Sequence, residues 1–479
     1  MSLTEETPLH VLPGAAPTAD EATRYLCAAA HIDLGWSGKP GTQIRKRVNQ
    51  LLLDERIRAA GVSPGVDLRR VALECRRAAG RKFIRDAALL GVLVLLLIAV
   101  LAQSSLALLF VLALAVEIVH FEAWYSTHRI VAREMLRGQF TATDAGTDSP
   151  DLNYIRSSQE GNVTVYSGYG PFAGVGYSHG GWSFALNLSE GAQGIGGPRA
   201  PRDISIPELY DRIAADVEAL DVPGMELRDH VFVDGRRLRE EPRLLLPPGD
   251  TLMRPAMSMQ DAEVRALVGK SGERLRHYKV IRVNAWGGEL VVSVFVRFMK
   301  VEQALFAEVN YFLLPPLNDA CHIADRISPA PSWRDHVKLL VASAAMTPVA
   351  LLRAWGGVTS HLFHARTVSK RAKRARIEAQ SDPSYDFGAP PSVRQDQMSG
   401  SYRQFFQQLD RDMYVKVIEE RLLESLVNYF DEHDIDTGAL RQRSMTVMNN
   451  GVMMTGGSLQ AENFAVGAKA QAKSTPKAA

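Results

Sequence analysis

The segment GYSHG, Gly176 to Gly180, matches the G-x-S-x-G pattern by which serine hydrolases expose a nucleophile, here Ser178. The pattern needs a strand, a strained turn and then a helix, with an Asp and a His further along the chain. Asp250 and His277 are candidates by position only. Residues 182–189 alternate as a β-strand does. We therefore expect a glycine turn between strands, and a membrane-tethered serine hydrolase using Ser178 is the alternative.

Two other segments imitate ligand-binding loops. Gly269, Lys270 and Ser271 resemble the end of a phosphate-binding loop, but Val264 stands where that loop needs a glycine. The run DEHDID, residues 431–436, offers carboxylates, yet Gly438 falls where a Ca²⁺ ligand is required. We expect Asp436 to cap a short helix instead.

Metal and redox chemistry has little support in the sequence. Cys27, Cys75 and Cys321 show no CxxC or CxxH spacing, and the histidines form no HExxH pair. The sequence thus predicts no catalytic residue, no cofactor-binding residue and no metal ligand, and no cofactor.

The net charge limits the classes of partner that the whole molecule can attract. Lys and Arg number 55 against 53 Asp and Glu, so no overall field favours nucleic acid, and we expect no nucleic-acid partner. The opening MSLTEETPLH is acidic and polar, unlike a cleavable secretory signal. Unpaired cysteines favour domains in a reducing, cytoplasmic compartment.

One stretch, from Ala87 to Val116, contains thirty residues without a charge. As a helix it would be about 45 Å long, against a hydrocarbon core of about 30 Å. Gln103 to Ser105 lie in its middle, where a turn would give a membrane helical hairpin. One long, tilted transmembrane helix is the alternative, because tilt absorbs excess length. Arginines and lysines on both flanks favour the hairpin with both ends in the cytoplasm.

The rest of the chain predicts an α+β fold. Short strands follow Asn162, a helix covers Ile206 to Leu220, and three longer strands begin near Lys279, Glu289 and Ala304 in a meander. We expect a helical N-terminal cap, an antiparallel-sheet α+β soluble domain and a helical C-terminal region.

The expected organisation divides the chain into eight parts. These are a helical N-terminal region (1–85), the transmembrane segment or segments (86–120), a membrane-proximal helix and linker (121–150), the α+β soluble domain (151–330), an amphipathic, polybasic membrane-surface segment (331–380), a linker (381–400), a helical region (401–446) and a flexible tail rich in Gly, Asn and Val (447–479).

The membrane-surface segment has two halves. Residues 339–355 are apolar but contain Pro348 and Arg353, and they are too short to span comfortably. Six basic residues follow between Arg366 and Arg376, which suits a clamp on anionic lipid headgroups. A buried helix followed by a solvated charged helix is the alternative.

Several phrases together resemble an uncharacterised family of actinobacterial integral membrane proteins of unknown function. They are RYLCAAAHID at Arg24, GNVTVYSGYGPFAGVG at Gly161, NYFLLPPL at Asn310, YDFGAPPSVR at Tyr385 and NNGVMMTGGSLQAENFAVGAKA at Asn449. The resemblance implies a cytoplasmic-membrane protein and brings no activity, cofactor or catalytic residue with it.

These observations favour a non-enzymatic scaffold or sensor in the cell membrane, with its soluble domains in the cytoplasm. Its expected partners are the bilayer, anionic headgroups, and either a protein partner or further copies of itself. An oligomeric pore is a second alternative to this function, beside the hydrolase. Gln103, Ser104 and Ser105 offer few polar groups to line such a path.

Overall fold

The structure is a computed structural model, which describes residues 20–33, 40–137, 140, 149–194, 197–241, 244, 254–270 and 272–442. Its helices are α1 (Asp20–His31), α2 (Pro40–Val48), α3 (Leu68–Leu101), α4 (Ser105–Trp124), α5 (Ala132–Glu134), α6 (Pro150–Glu160), α7 (Ile206–Glu218), α8 (Asp261–Arg265), α9 (Trp333–Leu362), α10 (His364–Ser381), α11 (Val393–Asp396) and α12 (Phe405–Glu432). A π-helical segment, Tyr125–Val131, joins α4 to α5. The predicted tail, 447–479, lies outside these residues.

The strands are β1 (Val163–Tyr166), β2 (Tyr177–Asn187), β3 (Gln193–Gly194), β4 (Gly197–Pro198), β5 (Met225–Asp234), β6 (Leu275–Ala285), β7 (Leu290–Val301) and β8 (Ala304–Leu314). Six of them form one sheet in the order β1-β5-β6-β7-β8-β2. The predicted meander β6–β7–β8 is confirmed. Four of the five pairings in this sheet are antiparallel, as expected, but the fifth is not, because β1 pairs with β5 in parallel.

The helices α7 and α12 cover one face of the sheet. Ser205 caps α7 by accepting a hydrogen bond from the Glu208 amide, so the helix begins where the sequence predicts. Its Tyr210 hydroxyl accepts the Phe298 amide hydrogen at 2.8 Å, which ties the helix to β7. Leu422 and Phe430 of α12 pack into the same core. The sheet is thus the partner of the apolar stripe on α12.

A loop rather than a strand covers the opposite face. FAGVGYS, residues 172–178, was expected to be a strand, but only Tyr177 and Ser178 belong to β2. Phe172 instead places its ring 4.5 to 5.5 Å from the rings of four sheet residues, Phe232, Tyr278, Phe295 and Phe312. The loop therefore contributes to the aromatic core, and its glycines let it bend back over the sheet.

The uncharged stretch forms a helical hairpin, so the alternative of one long helix is wrong. Gln103 takes a positive φ of 51° between α3 and α4. The Ser104 hydroxyl then caps α4 by accepting the Ala107 amide hydrogen. Leu89 of α3 packs against Val119 of α4. The turn therefore falls where three consecutive polar residues interrupt the apolar run.

Three helices, α3, α4 with its extension to Glu134, and α9, are long and apolar enough to cross a membrane. The sequence-based estimate that the third apolar segment is too short is wrong, because α9 runs through Pro348 for thirty residues. Ala354, in its second half, is fully buried in a cluster with Leu89 and Val119 of the hairpin.

The helix α9 crosses the base of the hairpin rather than running along it. His336, near its start, lies 5.6 Å ring to ring from His128, and His361, near its end, stacks 4.3 Å from Phe83. His336 and His361 are about 37 Å apart along a straight helix. The residues that they contact, His128 and Phe83, lie within about 6 Å of each other along the hairpin axis. This follows from the contact between Arg81 of α3 and Ser126 of the π-helical segment, which aligns the two arms. Both ends of α9 therefore lie near the end of the hairpin that joins the sheet-containing body.

We expect Phe172→Ala to lower the free energy of unfolding by about 2–4 kcal/mol, because it removes a partly buried ring from the aromatic core. Denaturant unfolding of the full-length protein in detergent, followed by tryptophan fluorescence, measures this change. Tyr169→Ala, in the same loop but with a fully exposed side chain (103%), is the matched control and should change it by less than about 0.5 kcal/mol. Equal losses in the two variants would show that Phe172 is not part of the core.

Candidate functional site

A cleft of about 1320 Å³ lies where α3 and α4 leave the body of the protein. Residues of α2, the π-helical segment and the chain around Asp33 line one side, and α9 and α10 line the other. We call it the base cleft. Its volume exceeds the roughly 300–1,000 Å³ of most small-molecule sites, so it has room for a ligand and is the first candidate for a functional site.

Paired charges form the floor of the base cleft. The Asp33 carboxylate lies 2.6 Å from Arg45 and 2.8 Å from Lys82. Burial alone would raise the pKa of Asp33, but the two cations outweigh it and hold that pKa well below its usual range. Glu122 of α4 lies 3.6 Å from Lys82 and 3.8 Å from Arg85. The floor thus joins the N-terminal helices to both arms of the hairpin.

A buried histidine adjoins this floor. Arg81 can only donate, so its 2.7 Å contact with His31 makes Nδ1 the acceptor. The proton therefore sits on Nε2, which donates to Glu74 at 3.0 Å. Burial lowers the pKa of His31 and the Arg81 charge lowers it further, although Glu74 opposes both. The neutral imidazole is the form that this arrangement stabilises.

The wall opposite the floor is apolar and carries one free cation. Met346, Val349 and Leu352 of α9 line it. Arg353 lies among them and has no hydrogen bond or ion pair with any residue that the structure describes. An apolar wall with an unpaired guanidinium suits an amphiphilic molecule with an anionic head group.

The structure does not form a nucleophile elbow at Ser178. This serine is exposed within β2, opposite Phe312 of β8, and the strand continues to Asn187. His277 lies three strands away and about five residues along, a separation of more than about 20 Å. It bonds Asp229 at 2.9 Å instead. Asp250 lies outside the described residues.

The other sequence motifs occupy ordinary turns. Gly269 has a φ of 73° after α8, so a helix rather than a strand precedes Lys270, and Ser271 lies outside the described residues. Asp436 accepts the Gly438 amide hydrogen at 3.0 Å, consistent with the predicted cap. The predicted polybasic residues, from Arg366 to Arg376, lie on α10.

Within the described ranges, no group of three or more His, Cys, Asp or Glu residues is placed to hold a metal ion. Cys27, Cys75 and Cys321 are free thiols and all are buried. Burial raises the pKa of the Cys75 and Cys321 thiols to about 12, which makes them poor nucleophiles at neutral pH.

The sequence motifs do not mark the residues of the base cleft, although the spacing of charges around the hairpin turn could have identified some of them. In an antiparallel hairpin that turns at Gln103, residues equally far from the turn meet. Arg85 and Glu122 satisfy this rule, and their side chains do meet. The positions of Asp33 and Arg353 have no such signal, because other elements bring them to the hairpin.

We expect acidification from pH 7 to pH 5 to destabilise the protein partly through His31. Its folded pKa lies below the ordinary value of 6.5, so its contribution to stability is complete above about pH 6.5 and is lost as the pH falls below that value. His31→Gln keeps a donor but cannot titrate. The fall in Tm between pH 7 and pH 5 should be smaller in this variant than in the wild type.

Other histidines define the control for this measurement. Burial also lowers the pKa of His230, to about 3, and both proteins share its effect, so only the difference between them reports on His31. Identical Tm profiles for the wild type and His31→Gln would contradict the assigned protonation state.

Comparison with known proteins gives one result. A family model described as an AbeC-like domain matches residues 181–461, from within β2 to beyond the last described residue, so the hairpin lies outside the match. Neither a search of curated proteins nor a search of solved structures finds a match to this chain. The actinobacterial and membrane aspects of the resemblance stay predictions. Because the match covers more than half of the 479 residues, the chain belongs to the AbeC-like domain family.

Proposed function

We propose that this protein is a membrane-anchored scaffold or sensor, held in the bilayer by the hairpin α3–α4, whose body binds a protein partner or a second copy of itself. The single observation that carries the proposal is the exposed apolar surface of the hairpin. The alternatives, a serine hydrolase at Ser178 and an oligomeric pore, gain no specific support from the geometry.

The hairpin presents large apolar side chains on its outer surface. Leu101, Leu106 and Phe110 are each more than 70% exposed around its tip. Exposing such a side chain to water rather than burying it costs about 1.5–3 kcal/mol. No charge lies between Asp86 and Glu117 to solvate this surface. Lipid removes the cost, so the bilayer is the proposed environment of the hairpin.

The path of the chain around α9 favours a position at the membrane surface. Ile327, before α9, packs on the core of the N-terminal helices, and Ala379, near the end of α10, packs on the core beside β1 and β5. Between them, α10 is too charged to recross a bilayer. In this arrangement α9 enters and leaves on one side, and the exposed basic residues of α10, such as Lys370 and Arg371, would face anionic headgroups.

The first half of α12 supports the binding of a protein. Phe405, Phe406, Leu409 and Met413 form an exposed apolar stripe there, while the second half of the helix is buried on the sheet. Exposed, contiguous apolar side chains of this kind mark protein interaction sites. The stripe lies on the body and away from the hairpin tip, so it would remain available in a membrane-anchored protein.

Labelling with a membrane-impermeant maleimide tests the proposed topology in sealed vesicles. The three native cysteines are buried, so single introduced cysteines can be compared. Lys338→Cys before the apolar centre of α9, Arg366→Cys after it, and Tyr169→Cys on the body should react from the same side. Gln103→Cys, at the hairpin tip, should react from the opposite side.

Two results would contradict the topology. Labelling of Lys338→Cys and Arg366→Cys from opposite sides would mean that α9 spans the bilayer. Labelling of Gln103→Cys from the same side as Tyr169→Cys would mean that the hairpin does not cross.

Crosslinking in native membranes, followed by mass spectrometry, tests the binding function. Replacing Phe405, Phe406 and Leu409 by Ser should abolish the crosslinked species of the wild type, because it removes the apolar contact area. Replacing Gln408, Lys416 and Glu420 by Ser, on exposed positions of the same helix, is the matched control and should leave that species in place. Absence of any crosslinked species in the wild type, or its persistence in the first variant, would overturn the proposed role of the stripe.

A further inference from the structure

Three polar side chains on one face of the sheet each have a buried atom without a hydrogen-bond partner. Arg282 of β6 lies directly opposite Ser293 of β7, and Asn284 follows two residues later on the same face. Arg282 Nε, the Ser293 hydroxyl and Asn284 Oδ1 are all buried, and none has a hydrogen-bond partner among the described residues. Buried polar atoms are normally satisfied, so three adjacent exceptions point to a missing interaction partner.

The nearest carboxylate does not neutralise Arg282. Glu226 of β5 is its other cross-strand neighbour. That carboxylate lies 2.8 Å from Arg228 and accepts a long hydrogen bond, 3.5 Å, from Asn284. Burial and the Arg228 charge lower the pKa of Arg282 to about 10, against the opposing effect of Glu226, so the guanidinium still carries its charge at neutral pH. The charge of this partly buried side chain therefore has no ion-pair partner among the described residues, which is costly to the fold.

A cavity of about 430 Å³ opens onto Arg282 and Asn284. The loop 62–67 and α6 form its walls, and four arginines line it, Arg69, Arg156, Arg228 and Arg282. The carboxylates that line it are already engaged. Glu160 bonds Arg156 at 3.1 Å, Glu226 pairs with Arg228, and Asp67 accepts the Arg70 amide hydrogen as the cap of α3. Four arginines against three carboxylates, Asp67, Glu160 and Glu226, leave the lining with a net charge of +1.

We infer that this cavity binds a small molecule that carries a phosphate or carboxylate group, with that group seated on the guanidinium of Arg282. The planar guanidinium matches such an oxyanion through two parallel hydrogen bonds. Asn284 Oδ1 is an acceptor, so it suits a hydroxyl elsewhere on the ligand. The cavity is large enough for a metabolite rather than for inorganic phosphate alone.

The site does not include the apolar stretch of the hairpin. It lies between the sheet and α6, and among its lining residues Arg69, in the first turn of α3, belongs to a helix of the hairpin, whereas the base cleft lies along α9 and α10. The inference goes beyond the proposed scaffold or sensor function, and either can fail without the other.

Isothermal titration of the detergent-solubilised full-length protein tests the site, with inorganic phosphate and citrate as separate probes. We expect saturable binding of at least one probe to the wild type, and binding at least about tenfold weaker to Arg282→Gln. The probe that binds more tightly identifies phosphate or carboxylate as the preferred group. Absence of saturable binding of both probes to the wild type would overturn the inference.

Two further variants separate binding from folding. Arg274→Gln, at a half-exposed arginine just before β6, is the matched control and should bind as the wild type does. Without ligand, Arg282→Gln should have a Tm equal to or above that of the wild type, since it removes an unpaired, partly buried charge. If Arg282→Gln fails to fold, Arg282→Lys keeps the charge and loses the planar fork, and its binding should be weaker. A lowered Tm with unchanged binding in either Arg282 variant would assign the arginine a structural role only.

Discussion

The structure depends on pairing the charges that stand at the base of an apolar hairpin. Lys82, Arg85 and Glu122 must lie where α3 and α4 leave the body, because the thirty residues beyond them carry no charge. At that level each charge is partly withdrawn from water, and an unpaired one would destabilise the fold. Asp33, from the chain after α1, meets Lys82 and so completes the set. The ion pair between Asp33 and Lys82 attaches the N-terminal helices to the hairpin. The helix α9 crosses the hairpin at the same base.

The sequence predicts those elements whose position is determined by residues close together in the chain. The polar interruption at Gln103 to Ser105 places the turn of the hairpin, since Ser104 can cap the second helix while Gln103 tolerates the positive φ. The meander β6–β7–β8 follows from apolar runs separated by short connections, and α7 begins at the cap formed by Ser205. In each case the residues that determine the element lie within a few positions of one another.

The sequence does not predict contacts between distant residues. The parallel pairing of β1 with β5 joins strands about sixty residues apart, and no turn between them signals it. The glycines around Phe172 suggest a turn, yet the position of that ring depends on four residues from four strands. Arg282 in the same way looks like the polar residue of an alternating strand. The register of the sheet places Arg282 between Glu226 of β5 and the neutral Ser293 of β7. Glu226 pairs with Arg228, so neither neighbour neutralises Arg282.

One element, α3, connects the two candidate sites. Asp67 and Arg69 at its start line the cavity in front of Arg282, while Arg76 and Lys82 further along line the base cleft, and the helix runs unbroken to Leu101. A helix of this length moves largely as a rigid body, so a displacement at its start is felt at the hairpin. A ligand can cause such a displacement only to the extent that it binds one position of α3 more tightly than another. The sensor form of the proposal therefore requires that an oxyanion on Arg282 also contact α3 or the loop before it, whereas the scaffold form requires no such contact.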